Sequence, residues 1–163
     1  MKEKRTITNF WNNSFRQFPS LLINNYWIDN DGEILNNSNL SFNITNSIIS
    51  GNENIEFLVE QFDDTNLNFK FKNCMIKFND YNDIFTGQDN YDFSNSEKYE
   101  NLFLNLNADF KNEYGNELFI LQNSEVINLG DEDLAAIYPL DILNINRENS
   151  PDLGAYQYII IDD

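Results

Sequence analysis

Apolar and polar residues alternate along this chain in short runs, and two runs superpose without a gap. Phe42-Asn43-Ile44-Thr45-Asn46-Ser47-Ile48-Ile49 and Phe69-Lys70-Phe71-Lys72-Asn73-Cys74-Met75-Ile76 share one pattern. Each has alternating apolar residues, then Asn, then a small residue and two apolar residues. The offset from Phe42 to Phe69 is 27 residues. Alternation with period 2 predicts strands, with Phe69 and Phe71 inward and Lys70 and Lys72 outward. A looser copy spans 118–127, and fainter ones fall at 21–26 and 6–11. Repeats of this kind predict a solenoid, because one coil cannot bury its apolar face without a neighbour. The shared Asn then sits at a corner, where its amide can bond backbone and the equivalent Asn of the next coil. A β-sandwich of alternating strands also satisfies period 2.

Polar stretches separate these runs. Asp29-Asn30-Asp31-Gly32-Glu33 reads as a tight turn, and Gly51-Asn52-Glu53-Asn54 as another before a strand at 55–59. Further strands are expected at 102–106 and 158–161, with a helical turn at 134–137. The longest departure, 79–100, is rich in Asp, Asn and aromatic residues. Insertions in solenoids project from one face and carry binding. Its candidate binding residues are Asp80, Tyr81, Asp83, Phe85, Asp89, Tyr91 and Asp92. Aromatic rings stack on sugar faces and carboxylates bond hydroxyls. Trp11, Phe15, Tyr26 and Trp27 offer further rings, which equally suit covering a coil end. Lys70, Lys72 and Lys77 lie just before the acidic loop. A base beside carboxylates suits a Ca²⁺-assisted lyase, and a solvated face is the plainer reading.

Composition narrows the chemistry. The 163 residues, 41% hydrophobic and 15% aromatic, suffice for one domain with a core. There are 30 asparagines and six glycines, so Asn is expected to fill the left-handed turn positions. A net charge of −17 repels phosphate backbones and anionic lipid. It attracts cations, Ca²⁺ above all, or a basic protein surface, and it also serves plain solubility. One cysteine and no histidine exclude an internal disulfide, His/Cys zinc sites and Ser-His-Asp or Cys-His catalysis. Cys74, between apolar neighbours, reads as a packing thiol. No apolar run approaches the ~20 residues of a membrane span, and the opening MKEKRTITNF lacks the apolar centre of a signal peptide. The start reads as mid-coil, which predicts an open N-terminal coil prone to self-association.

The last quarter carries two of the three prolines and the only arginine after Arg16. Asp141, Arg147 and Asp152 are spaced so that one guanidinium fork can bridge two carboxylates in a structural cap. The division expected is coils over 1–132 and a closing coil and cap over 133–163. Tyr138-Pro139-Leu140-Asp141-Ile142-Leu143, Arg147 and Pro151-Asp152-Leu153-Gly154-Ala155-Tyr156 resemble the C-terminal end of right-handed parallel β-helix proteins. These are the pectin-lyase-like repeat proteins of Bacteroidetes-type cell surfaces, which close with "Asp-hydrophobic-x-Gly-x-x-Arg … Pro-Asp-Ile-Gly-Ala-Tyr-Glu". Asn144, Leu153 and Gln157 stand where the family has Gly, Ile and Glu. Asn123-Ser124-Glu125-Val126-Ile127-Asn128-Leu129-Gly130 is similar to an upstream family coil. The resemblance implies an all-β parallel β-helix and an exported or cell-surface parent, and no single activity. The role expected is a non-catalytic structural or adhesive module binding glycan or protein, with no cofactor unless Ca²⁺, no nucleic-acid partner and no membrane insertion. The alternative is the end piece of a polysaccharide lyase or other polysaccharide-degrading enzyme. That enzyme would cluster acids with Lys or Arg on one exposed face, whereas a structural module would scatter them.

Overall fold

Asparagine sets the geometry of the main sheet. In the computed structural model, residues 4–5, 8–11 and 18–159 are described, the first two segments by backbone pairing alone. The strands are β1 (Lys4–Arg5), β2 (Thr8–Trp11), β3 (Leu21–Asn24), β4 (Tyr26–Ile28), β5 (Ile34–Asn37), β6 (Leu40–Gly51), β7 (Phe57–Glu60), β8 (Leu67–Ile76), β9 (Tyr99–Leu104), β10 (Phe110–Asn112) and β11 (Glu117–Ile120). Helix α1 (Glu132–Ile137) is short, and two single 3₁₀ turns cover Asp89–Tyr91 and Glu113–Gly115. The chain is thus all-β in character.

The largest sheet is parallel throughout. β6, β8 and β9 lie side by side in that order, with β1 and β2 on the free side of β6. Phe42 pairs with Phe69 and Ile49 with Ile76, so the 27-residue offset read from the sequence is the strand register. Phe71 then pairs with Tyr99 and Cys74 with Leu102, one residue further on. A second parallel pair joins β3 to β7, Leu21 opposite Phe57.

Within each long strand one Asn is left-handed: Asn46 at φ 51°, Asn73 at 49° and Asn101 at 51°. Each falls between paired neighbours, as Asn73 does between Lys72 and Cys74. The left-handed residue shifts the alternation by one. Phe69, Phe71, Cys74 and Ile76 therefore share one core with Phe57, whereas Ile48 and Met75 turn into another. Among the described residues, seven of the nine non-glycine residues with positive φ are Asn, as the Asn-for-Gly reading expects. The corner amides also link, since Asn101 Nδ2 donates to Asn73 Oδ1 at 3.3 Å.

The first core is aromatic. Phe57 and Phe71 are fully buried with ring centroids 5.0 Å apart, and Phe71 stacks on Tyr99 at 5.9 Å. Lys70 and Lys72 stay on the outer side, half-exposed, as the alternation requires. The second core joins Ile48 and Met75 to Phe110, Ile120, Val126 and Leu153. The C-terminal segment therefore lies against the opposite face of the β6–β8–β9 sheet. Beyond the Asn corner both faces are buried, as parallel sheets require, while Lys70 and Lys72 before it leave the outer face half-exposed.

Several expectations change here. The copy expected at 118–127 is not a rung of the ladder, because β11 pairs antiparallel with β10. The true third rung is β9, whose corner is Asn101. The run at 21–26 pairs with β7 instead of β6. Short apolar alternation looks the same in parallel rungs and hairpins, which misplaces the first, and it does not say which parallel sheet a strand joins, which misplaces the second. The turn at 29–33 closes the β4–β5 hairpin, where Asp29 Oδ1 accepts the Asp31 and Glu33 N–H groups, both at 2.9 Å. Tyr158 and Ile159 are not in a strand; the rest of the strand expected there, and Phe15, lie outside the described residues.

Candidate functional site

The insertion after β8 folds back over the end of the aromatic core. Phe85, Tyr91 and Phe93 gather around Phe78, with ring centroids 5.4, 5.4 and 5.0 Å away. The Tyr91 hydroxyl accepts the Val59 N–H at 2.9 Å, pinning the loop to β7. Burial raises the Tyr91 pKa above that of an ordinary phenol. Lys98 donates to Asn90 Oδ1 at 2.8 Å and to Asp89 O at 3.0 Å, closing the loop base.

A cleft of about 600 Å³ opens on this floor. Asp80, Asp83, Phe85, Asp89, Tyr91 and Asp92 line it, six of the seven candidate binding residues. Tyr81 does not; it is 76% exposed elsewhere on the loop. Phe78, Thr86, Gly87, Gln88, Phe93 and Leu104 complete the wall. Leu104 comes from β9, and only the strand register brings it here.

The carboxylates hold the loop as well as lining the cleft. Asp80 accepts the Ile84 N–H at 3.0 Å and the Phe85 N–H at 2.7 Å, ordering the first turn. Asp92 accepts the Ser94 hydroxyl at 2.6 Å and its N–H at 3.1 Å, which hold its carboxyl below the usual range. Asp83 sits in the left-handed region at φ 55°. Among the described residues no three Asp, Glu or Cys side chains converge to hold a metal ion.

The C-terminal trio is buried, but the expected bridge is not what forms. Arg147 aims its fork at main-chain carbonyls, donating to Gly154 O at 3.2 Å and to Asp152 O. The carboxylates instead collect backbone N–H groups. Asp152 accepts Asn128 at 2.7 Å and Tyr158 at 2.6 Å, while Asp141 accepts Leu143, Ile145 and Gln157, each at 2.8 Å. The carboxylates themselves are buried, and the backbone N–H groups around them need acceptors, so the acceptors go there. Burial holds Asp152 above the ordinary carboxylate range despite those N–H groups and Arg147. Burial likewise lowers Arg147, against the pull of Asp152 and Asp141.

The outer sheet face carries a paired set of charges. Lys70 meets Glu100, and Lys72 meets Glu100 at 3.7 Å and Asp131 more closely. Lys77 donates to Gly51 O at 2.7 Å. Cys74 is fully buried, and burial pushes its thiol up to about 12, the behaviour of a packing residue. Of the aromatics at coil edges, Trp27 is 70% exposed, Tyr26 bonds Glu60, and the Trp11 side chain lies outside what is described. No helix among the described residues is long and apolar enough to cross a membrane. Comparison with protein-family models, with curated proteins and with solved structures finds no match to this chain.

Proposed function

We propose that this chain is a non-catalytic binding module, built as stacked coils of a right-handed parallel β-helix, whose loop cleft takes a neutral glycan. The observation that carries the reading is the cleft at residues 78–93. Its floor is a fixed aromatic cluster, and its rim sets Thr86, Gln88 and four aspartates around it. Rings for stacking beneath convergent hydroxyl-bonding groups are what a sugar site needs. Loops held by a rigid scaffold are where binding concentrates. The net charge of −17 argues for a neutral ligand over an acidic polysaccharide.

The stacked-coil reading draws support from the in-register parallel ladder and the row of left-handed Asn corners. With the closing signature it fits an exported or cell-surface parent. Protein partners, a bound Ca²⁺ and self-association through the open N-terminal coil belong to the same proposal. The degradative alternative needs Lys70, Lys72 or Lys77 beside the loop aspartates, but Lys70 and Lys72 pair with Glu100 and Asp131. Those lysines and acids neutralise one another, which favours a structural role for that face.

The test is calorimetric titration of the full chain with soluble neutral β-glucan, xylan and mannan oligosaccharides. At least one should bind, and Asp89→Ala with Thr86→Ala should weaken it about tenfold, or about 1.4 kcal/mol. Equal affinity in wild type and variant, with both folded, would sink the proposal.

A further inference from the structure

Along residues 77–80 successive residues line two different clefts. Phe78 and Asp80 face the cleft described above, while Lys77 and Asn79 face a second cleft of about 340 Å³. That volume falls at the small end of the roughly 300–1,000 Å³ usual for small-molecule sites. Its base is apolar and buried, from Ala108 and Phe110. One wall is fixed by Asn105, whose amide accepts the Phe78 N–H at 2.7 Å and donates to Phe78 O at 3.1 Å.

The chemistry of this second cleft differs from the first. Lys77 is held by its bond to Gly51 O, which uses one of three ammonium protons. Glu113 faces the same space from the 3₁₀ turn after β10, where burial pushes its carboxyl up against the opposing pull of Lys77. Asn52 and Asn79 add side-chain amides, and Tyr114, 83% exposed, offers a ring face at the rim. A donor-only cation, an acceptor-only carboxylate and two amides together match groups that both donate and accept. Hydroxyls do so. A carboxylate ligand would suit Lys77 but would meet Glu113, and a cation would meet Lys77.

We propose that the Lys77–Glu113 cleft is a second, separate binding site for a neutral sugar unit. The choice of ligand class rests on the glycan reading above, and the site itself stands on different residues. The test is a protein-observed NMR titration of the full chain with the methyl glycosides of glucose, galactose, mannose and N-acetylglucosamine. At least one probe should move the amides of Asn52, Asn79 and Tyr114 saturably. Glu113→Gln and Tyr114→Ala should each weaken that response about tenfold. Tyr114 is exposed enough that its removal leaves the fold intact, so the test survives if the Glu113 variant misfolds. Shifts confined to Thr86, Gln88 and Asp89 would overturn the second site and leave the loop cleft standing. Shifts at Asn52, Asn79 and Tyr114 alone would support the second site while the loop reading failed. No movement of those three amides with any probe, or wild-type affinity in both variants, would overturn this proposal.

Discussion

Asn73 shows how much one residue decides in this chain. Its left-handed backbone resets the alternation of β8, and its amide donates to Leu129 O at 2.9 Å, tying the sheet to the C-terminal segment. A left-handed non-glycine residue without a compensating side chain costs about 1–2 kcal/mol, and a lost buried hydrogen bond about 1 kcal/mol. Asn73→Ala should therefore cost about 2–3 kcal/mol in urea unfolding, and Asn73→Gly clearly less, because glycine adopts this φ freely. A glycine variant as damaged as the alanine one would remove the conformational argument. Gly130 is constrained for another reason. A Cβ there would lie 2.7 Å from Pro151 O and 2.8 Å from Pro151 Cβ, and the Gly130 N–H bonds that same oxygen at 2.8 Å. Gly130→Ala should cost about 1–3 kcal/mol by forcing the two segments apart. A melting midpoint unchanged from wild type would contradict that packing.

At the scale of elements, the docking of the α1 segment onto the sheet depends on charge. Asp131 caps α1 by accepting the Leu134 N–H at 2.8 Å, donates its own N–H to Asn46 Oδ1 at 2.6 Å, and pairs with Lys72. Burial pushes its carboxyl up, but Lys72 and the capping N–H groups outweigh that, and it ends below the ordinary value. A lowered carboxylate stabilises fully above its unfolded pKa of about 4 and loses that contribution as pH falls through the lower folded value. Amide exchange at Asp131 and Leu134 should thus be pH-independent in its protection above about pH 4 and lose protection below it. Protection that persists in acid until global unfolding would refute the assignment.

The elements also show where sequence reading succeeds. The β6–β8 register was legible because both strands repeat the same Asn-centred pattern, and the inward Phe69 and Phe71 followed from alternation. β9 was missed as the third rung because Glu100 and Asn101 interrupt its apolar run and a long insertion precedes it. The loop cleft was legible as composition, since six of its residues stood together in the chain. Leu104 was not, because only tertiary register brings it there. The partners of Arg147 were not legible, because local spacing cannot say whether a fork meets carboxylates or carbonyls.

For the whole molecule, the parallel ladder and the two cores make a stiff support for the loop at 78–93. The charge of −17 should make stability rise with salt, because screening relieves self-repulsion in the compact state. The midpoint of thermal unfolding should climb as sodium chloride is added, and a fall would show that ion pairs outweigh repulsion. We propose that the chain binds a neutral glycan and leaves it intact. The most direct measurement is equilibrium binding to soluble β-glucan and mannan, with polygalacturonate as the anionic control and reducing ends counted in each mixture. Saturable binding of a neutral polysaccharide and no new reducing ends are expected. Absence of any neutral binding, or new ends released from polygalacturonate, would contradict it.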